Sequence, residues 1–441
     1  MASTYLTRTA SGGSNQIYTA SCWVKRTKLG TTTSVLTTGN GGADSNARML
    51  IFDATDKIEI AYYNAGFTYQ VTTNRLFRDT SAWYHLVVAV DTTQATASDR
   101  IKIYVNGVQE TSFATSSYPS LNATFNYNSS AQYIGDLRGS GIYGEFLLSH
   151  FNYIDGTAYD ASAFGETNAA SGIWTPLASP SVTYGTNGFF LKFGSSGALG
   201  TDSSGNSNTF TVNGSGTQTQ DAPSNVFVTM NPLYRTTSIN FSNGNNTITS
   251  SSGSWNGPAS TLAASTGKWY VEGKATGYNH NAVGVASNPN DNSAGYPFGI
   301  AGGYGYKLYT GGTTTLGADD VPYGDTLANG DIFQIALDLD NQKIYFGKNG
   351  TWQNSGVPTS GATGTGAAFT LPSNETYHFV NALNLQTGGA SSQWNFGNGF
   401  FGTTAVASAT TDESGLGIFE YTVPTGYYAL CTKNINEQEY S

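Results

Sequence analysis

The chain has 441 residues, of which only 11% are charged and 54 are glycine, and this composition excludes coiled coils, long surface helices and charged disordered tails. Its 29 acidic residues outnumber its 19 basic ones, and the net charge of −10 argues against nucleic acid as a partner, because affinity for phosphates depends on lysine and arginine. No stretch approaches 18 consecutive apolar residues, and the first residues lack the apolar core of a signal peptide. We therefore expect a soluble protein, without membrane insertion, that is made in a cytoplasm.

The first half of the chain has the period-two apolar pattern of antiparallel strands. In the run that follows Trp83, the alternate residues Leu86, Val88 and Val90 form one apolar face. Ile101–Val105 repeats this alternation, and Asn106-Gly107 then supplies the two positive φ angles that a type I′ turn requires. These runs predict sandwich strands with a tight hairpin after residue 105.

The second half repeats the pattern. In residues 333–339, every second residue is apolar and faces the same side of the predicted strand. The polar turn 340–342 follows, and Ile344 and Phe346 resume the alternation. Asn349-Gly350 then closes another hairpin. No helix longer than two turns is predicted. Two independent β-sandwiches in tandem would each produce such a series, so we predict an all-β fold.

Two prolines and several polar residues interrupt the periodicity in DAPSNVFVTMNPLYR, which begins at Asp221. We therefore divide the chain into a first domain (1–220), a packed connector (221–237), a second domain (238–403) and a C-terminal segment (404–441). That last segment mixes aromatic residues with a polar end, and we expect it to be able to dock on a partner.

The first domain resembles a laminin-G-like, concanavalin A-like lectin domain. The runs that carry the resemblance are YTASCWVKR from Tyr18, WYHLVVAVDTT from Trp83, IKIYVNGVQE from Ile101 and YIGDLRGSGIYGEFLLSHFNYIDGTAYDASAFGE from Tyr133. The second domain is similar to the SPRY domain, through GKWYVEGKATG from Gly267, VGVAS from Val283, NGDIFQIALDLDNQKIYFGKNGTW from Asn329 and WNFGNGF from Trp394. Both resemblances imply antiparallel concanavalin A-like (jelly-roll) sandwiches.

The pairing of these two modules resembles an arrangement found in structural proteins of tailed bacteriophages, especially marine ones. This resemblance implies a virion protein of the tail-fibre, tail-appendage or capsid-attached type, made in the host cytoplasm and oligomeric in the particle. Its expected partners are other virion proteins and a host-surface glycan or other receptor.

Asp338 and Asp340 form the only acidic pair whose two members share one face of a predicted strand. Glycosidases need two such carboxylates on either side of the scissile bond. The pair lies at the mouth of a tight turn, however, where aspartate is favoured for its turn hydrogen bonds. We therefore expect no catalytic residues.

The four histidines, His85, His150, His280 and His378, have no histidine or cysteine neighbour at metal-ligand spacing. We expect His85 and His150 to be satisfied residues within strands, and we expect no metal site and no cofactor. The two candidate calcium loops, 136–141 and 288–292, each offer one carboxylate, whereas calcium takes six to eight oxygen ligands. The only cysteines, Cys22 and Cys431, lie at opposite ends of the chain, so a structural disulfide is not expected.

Two tyrosine-rich runs are candidate ligand-binding surfaces, because tyrosines flanked by glycine and threonine offer sugars an apolar face and a hydroxyl group. The candidate residues are Tyr304, Tyr306 and Tyr309 in the second domain, and Tyr62, Tyr63 and Tyr69, with Phe67, in the first. The same composition also suits ordinary strands of a tyrosine-rich sandwich, and the sequence leaves both interpretations open.

The leading hypothesis is therefore a non-enzymatic bacteriophage surface protein that adheres to host glycans. The first alternative is a decorating protein whose sandwiches contact other capsid or tail proteins. A polysaccharide depolymerase, with Asp338 and Asp340 as its only candidate pair, is the remote alternative.

Overall fold

The computed structural model describes residues 4–39, 46–169, 171–234, 238–278, 280–288, 296–315, 318–385 and 389–439. The chain divides into two compact units, residues 1–218 and 219–441. The all-β class and the two tandem sandwiches predicted from the sequence are confirmed. Within the described ranges no helix has the length and apolar character needed to cross a membrane.

The strands of the first unit are, in chain order, β1 (Tyr5–Thr9), β2 (Ile17–Arg26), β3 (Thr33–Thr38), β4 (Asn46–Phe52), β5 (Ile58–Tyr63), β6 (Phe67–Thr73), β7 (Trp83–Asp91), β8 (Ile101–Val105), β9 (Val108–Gln109), β10 (Phe113–Ser117), β11 (Ala131–Ile134), β12 (Phe146–Asp155), β13 (Gly165–Thr167), β14 (Trp174–Pro176), β15 (Phe189–Leu191) and β16 (Thr211–Asn213). Short 3-10 helices span Ala97–Asp99, Ala161–Ala163 and Ser196–Ala198.

The strands of the second unit are β17 (Ile239–Ser242), β18 (Thr247–Ser250), β19 (Ala259–Ala264), β20 (Lys268–Tyr278), β21 (Asn281–Ala286), β22 (Gly303–Lys307), β23 (Gly312–Thr315), β24 (Ala318–Pro322), β25 (Ile332–Asp338), β26 (Lys343–Lys348), β27 (Thr351–Trp352), β28 (Phe369–Thr370), β29 (Tyr377–Leu383), β30 (Ala390–Asn395), β31 (Phe400–Phe401), β32 (Thr404–Ala405), β33 (Thr410–Thr411), β34 (Ile418–Phe419) and β35 (Tyr428–Ala429). The 3-10 helices Gln353–Ser355 and Pro358–Thr363 and the α-helix α1 (Thr432–Glu439) complete it.

Two sheets enclose the core of the first unit. Sheet A has eight strands in the order β10-β6-β5-β4-β3-β11-β1-β16, and sheet B has six in the order β15-β12-β2-β7-β8-β9. Leu86, Val88 and Val90 face the core between the sheets, as their alternation predicts. The predicted type I′ turn is also confirmed, because Asn106 and Gly107 have φ angles of 49° and 84° where β8 meets β9.

The second unit has the same layered plan. Sheet C contains nine strands, with the main order β17-β18-β30-β20-β25-β26-β27, and sheet D contains six in the order β19-β29-β21-β22-β23-β24. The alternating residues of 333–339 and Ile344 face the core of this unit, as predicted. Asn349 and Gly350 have φ angles of 48° and 83°, which confirms the second hairpin turn.

Residues 156–169 and 171–185 form a segment that covers part of the outer face of sheet B. Phe164 and Trp174 of this segment pack with Val87 of β7 and Ile154 of β12 in a cluster separate from the main core. A strand whose two faces are both apolar needs such a cover, since the main core lies on only one side of the sheet.

The predicted connector belongs to the second unit. Phe227, Val228 and Met230 are at most 1% exposed and pack within that unit. The described part of the predicted connector, residues 221–234, is therefore part of the second unit.

Residues 416–431 of the predicted C-terminal segment pack on the second unit itself. Phe419, Tyr427 and Cys431 are fully buried against Tyr270 and Tyr345 on the outer face of sheet C. Strand β35 adds to that sheet by pairing parallel to β20. The aromatic residues that the sequence predicted to dock on a partner cover the unit's own sheet instead.

A buried carboxyl group fastens this C-terminal cover. Glu272 of β20 is 0% exposed and accepts hydrogen bonds from the Tyr270 hydroxyl (2.8 Å) and from the backbone N–H groups of Glu420 (2.8 Å) and Tyr421 (2.9 Å). Burial raises the pKa of Glu272 from 4.5 to about 7, although the two backbone hydrogen bonds act in the opposite direction.

This pKa predicts a pH dependence of stability. Because the folded chain holds the Glu272 proton to a higher pH than the unfolded chain does, the free energy of unfolding falls as the pH rises from 4.5 to about 7. One group contributes a slope of at most about 1.4 kcal/mol per pH unit. We expect the free energy of unfolding, measured by urea denaturation at several pH values in this range, to fall less steeply with pH for Glu272→Gln than for the wild-type chain. Parallel profiles for the two proteins would contradict the assignment.

Candidate functional site

The first two tyrosines of the candidate run in the second unit serve its core. Tyr306 is 0% exposed and stacks on Phe346, with ring centroids 5.3 Å apart. Tyr304 is half-buried and packs edge-on against Phe369 at 5.3 Å. Alternate residues of β22 face the inside of the sandwich, so the prediction that Tyr306 contacts a ligand is wrong, and Tyr304 offers little free ring surface.

Tyr309 lies beyond the end of β22, in the turn, and joins a different group of rings. It stacks on His280 with centroids 4.6 Å apart, and Trp255 lies 6.2 Å from it. Trp255 also lies 4.8 Å from Tyr296 and 5.9 Å from His280. These four half-buried side chains are hereafter the Trp255 cluster.

Four separate chain segments bring the Trp255 cluster together. The backbone of Asn256, next to Trp255, exchanges two hydrogen bonds with Leu383 of β29, at 2.9 and 2.7 Å. His280 immediately precedes β21 with φ +55°, and its carbonyl oxygen accepts a hydrogen bond from the N–H of Asn384. These contacts anchor two of the segments to the same strand and loop, at one end of sheet D.

Two polar atoms of these segments have unused hydrogen-bonding capacity. Nδ1 of His280 and Oδ1 of Asn256 are buried, and neither has a hydrogen-bond partner among the described residues. Buried polar atoms are normally hydrogen-bonded, so each exception calls for an explanation. The cluster therefore combines aromatic faces with one unsatisfied polar atom of its own, Nδ1 of His280.

The tyrosine-rich run of the first unit divides between two faces of sheet A. Tyr69 is 0% exposed, and its hydroxyl lies 2.6 Å from that of Tyr127 in the core. The prediction that Tyr69 contacts a ligand is therefore wrong. Tyr62 also faces inward and packs against Phe125 at 4.6 Å. A bulge in the pairing of β5 with β6 separates these residues from Tyr63, which meets Phe67 edge-on at 5.4 Å.

Phe67 is 45% exposed, and the guanidinium of Arg48 lies 5.1 Å from its ring centroid. Arg48 also pairs with Glu59 at 2.6 Å, and Gln70 donates to the other oxygen of Glu59 at 2.6 Å. Both oxygens of the Glu59 carboxylate are thus held by side chains, one by Arg48 and the other by Gln70. These contacts indicate a structural role for Glu59.

The acidic pair at the turn after β25 has structural roles. Asp338 is 0% exposed, accepts two hydrogen bonds from Asn341 (3.0 and 2.9 Å) and pairs with Lys268 at 3.4 Å. Asp340 accepts a hydrogen bond from the N–H of Gly267 at 2.8 Å. The predicted turn hydrogen bonds are confirmed, and the remote depolymerase hypothesis gains no support from this pair.

His85 is a fully buried, satisfied strand residue, as predicted. Its Nδ1 accepts a hydrogen bond from the indole N–H of Trp174 (2.9 Å), and its Nε2 lies 2.9 Å from the hydroxyl of Ser21. Burial lowers the pKa of His85 to about 3, so the ring stays neutral at physiological pH. Burial also lowers the pKa of His150, whose Nδ1 lies 2.7 Å from the Ser149 hydroxyl.

Both cysteines are free thiols buried in different units, Cys22 in the first and Cys431 in the second, and burial raises the pKa of each.

In the loop 136–141, Asp136 is 2% exposed and directs its carboxylate at the N–H of Gly141 in its own loop. Within the described ranges, no three His, Cys, Asp or Glu residues are grouped to hold a metal ion. The other candidate calcium loop, 288–292, lies outside the described residues except for Asn288.

Comparison with known families supports a lectin-like first unit. Residues 2–155, which end with β12, match the family described as the concanavalin A-like lectin/glucanases superfamily, of laminin-G type. No curated protein matches the chain.

Among solved structures, the chain is similar to the SPRY domain of human HERC1, with 17% identity, a TM-score of 0.29, and coverage of 35% of this chain and 91% of that one. A second human SPRY domain has 13% identity, a TM-score of 0.27, and coverage of 35% and 93%. Stonustoxin has 13% identity, a TM-score of 0.30, and coverage of 38% and 27%.

Proposed function

We propose that this chain is a non-enzymatic carbohydrate-binding protein and that the Trp255 cluster is its glycan-binding surface. The observation that carries the proposal is the convergence of four half-buried rings from four segments at one end of sheet D. Ring faces stack on the apolar faces of sugars.

The family match of the first unit supports carbohydrate as the class of ligand, since its description names both lectins and glucanases. We further propose, from the resemblance of the paired modules to phage structural proteins, that the protein is displayed on a virion and that its ligand is a host-surface glycan. Mass spectrometry of purified particles tests this display: the chain is expected in the particles, and its absence would remove the virion part of the proposal.

The alternative of a purely decorating protein rested in part on the C-terminal segment as a docking tail. That segment is packed on its own unit, with Phe419 and Tyr427 fully buried. The Trp255 cluster, in contrast, keeps exposed ring surface, and for this reason we favour glycan binding.

Substitutions in the cluster test the proposed site. We expect Trp255→Ala and Tyr309→Ala each to weaken binding of the full chain to extracted host polysaccharide by about tenfold, since one aromatic contact contributes about 0.5–1.5 kcal/mol beyond its buried area. Binding is measured by titration calorimetry or by retention on immobilised polysaccharide.

The matched control is Tyr143→Ala, which removes a 40%-exposed tyrosine of the first unit that stacks on Tyr5. It is expected to bind like the wild-type chain. Binding unchanged by Trp255→Ala and Tyr309→Ala, in variants whose circular dichroism is native, would rule out the Trp255 cluster as the glycan site.

A further inference from the structure

The first unit contains a groove of about 480 Å³ on the outer face of sheet B. Tyr104 and Lys102 of β8 form part of its floor, because the alternate residues of that strand enter the core on the other face. The loop between β7 and β8 provides one wall, with Asp91 and Asp99, and residues 156–160 provide the other.

The first wall is held in place by Arg100. This side chain is 9% exposed and donates three hydrogen bonds, to the carbonyl oxygens of Gln94 (2.8 Å), Ala95 (2.9 Å) and Pro119 (2.8 Å). A buried guanidinium with three carbonyl partners fixes the path of the loop, so this wall is formed before any ligand arrives.

The second wall is held by Thr19 of β2, which is 0% exposed. Its hydroxyl donates to the carbonyl oxygen of Thr157 at 2.8 Å and accepts from the N–H of Tyr159 at 2.8 Å. With both walls fixed, binding would lose little free energy to the ordering of loops.

The groove is acidic and partly aromatic. Three carboxylates, Asp91, Asp99 and Asp160, line it together with a single ammonium group, that of Lys102, which lies 3.4 Å from Asp99. Burial raises the pKa of Tyr104, Lys102 acts to lower it and Asp160 raises it, so these groups share one electrostatic environment.

The carboxylates are not equally free to contact a ligand. Asp91 uses both oxygens within its own loop, on Thr93 and Gln94. Asp160 uses Oδ1 alone, for the N–H and hydroxyl of Ser162, and its Oδ2 has no hydrogen-bond partner among the described residues. The exposed carboxylate of Asp160 therefore retains one oxygen for a ligand, beside the ring of Tyr104.

We propose that this groove binds an amino sugar, a saccharide that carries a primary ammonium group. The rings of Tyr104 and Tyr159 would contact the apolar face of the sugar, and Asp160 would accept a charge-assisted hydrogen bond from the ammonium group. Uronic acids and phosphosugars are excluded by the excess of carboxylates, since like charges repel in a partly desolvated groove. This site lies in the other unit from the Trp255 cluster and does not depend on the proposed function.

The test compares a glucosamine trimer with its N-acetylated counterpart by titration calorimetry on the full chain. The measurement is made at mildly acidic pH, where the amines of the trimer are protonated. We expect the amine trimer to bind at least about tenfold more tightly, and added salt to weaken its binding. Asp160→Asn is expected to lower the affinity for the amine trimer about tenfold.

The matched control is Asp79→Asn, because Asp79 is an exposed aspartate with the same local hydrogen bonds, to the N–H and hydroxyl of Ser81 (2.8 and 2.5 Å), outside the groove. This variant and Trp255→Ala should bind the amine trimer like the wild-type chain, which separates this site from the proposed glycan site. Equal affinity for the two trimers, unchanged affinity in Asp160→Asn, or no binding by the folded chain would each overturn the proposal. A linear polyamine that bound as tightly as the trimer would overturn its saccharide part.

Discussion

Asp56→Ala is expected to destabilise the first unit by about 3–5 kcal/mol, because it leaves a buried arginine without its counter-charge. Arg26 is 0% exposed, and its guanidinium lies 3.0 Å from Oδ1 of Asp56 and 4.4 Å from the ring centroid of Phe52. Asp56, itself 3% exposed, also accepts from the N–H of Gly30 at 2.8 Å and pairs with Arg78 at 2.9 Å.

The pKa of Asp56 reflects this arrangement. Burial acts to raise it, but the hydrogen bonds from Gly30 and Arg78 and the charge of Arg26 outweigh burial and lower it. Since the folded pKa lies below the unfolded value, the stabilisation is present at neutral pH and is lost as the pH falls through the folded pKa.

Hydrogen exchange of the full chain, read by mass spectrometry on peptides from the first unit, measures this loss of stability. Asp79→Ala, in an exposed turn, is the control and should cost less than about 1 kcal/mol. The double variant with Arg26→Leu should regain part of the loss, because it no longer buries an unpaired charge. A loss below about 1 kcal/mol in Asp56→Ala would contradict this account of the ion pair.

Trp394→Ala is expected to destabilise the second unit by a similar amount, about 3–5 kcal/mol. Trp394 is 0% exposed, stacks on Phe396 at 5.3 Å and meets Phe333 edge-on at 4.9 Å. Its indole N–H also donates to Oδ1 of Asn381 at 3.0 Å. The substitution therefore creates a large cavity, and it also removes the hydrogen-bond donor of the buried Oδ1 of Asn381.

Asn381 explains why the loss should spread beyond the cavity. Its amide group donates to Oδ1 of Asn281 at 2.7 Å, and Asn281 in turn donates to the hydroxyl of Ser392 at 2.7 Å. We expect Trp394→Phe, which retains a ring but no N–H, to cost less than the alanine variant. Hydrogen exchange of peptides from β21, β29 and β30 measures both, and equal losses in the two variants would contradict a cavity contribution.

Local features of the fold could be predicted from the sequence, because their causes lie within a few residues. The turns at Asn106-Gly107 and Asn349-Gly350 follow from residues that tolerate positive φ, and the alternation in 333–339 reports which side chains face a core. The cover of an outer sheet face could not be predicted in this way. Period-two alternation does not show that residues 416–431 pack on sheet C, since that contact depends on tertiary structure.

The candidate site shows the same limit. Tyr306 and Tyr309 are close in sequence, but Tyr306 lies in β22 on the side that faces the core and is buried. Tyr309 lies in the turn after β22, where its ring stacks on His280 of the Trp255 cluster. Trp255 and His280 carried no local signal, since each is an isolated aromatic residue among glycine, serine and asparagine. Only the pairing of distant segments at one end of sheet D brings them together.

The most direct test of carbohydrate binding at the Trp255 cluster is an experimental structure of the full chain with a bound oligosaccharide from the host surface. The account predicts a sugar ring in van der Waals contact, about 4 Å, with Trp255 or Tyr309. An oligosaccharide bound elsewhere, with the Trp255 cluster bare at saturating ligand, would contradict it.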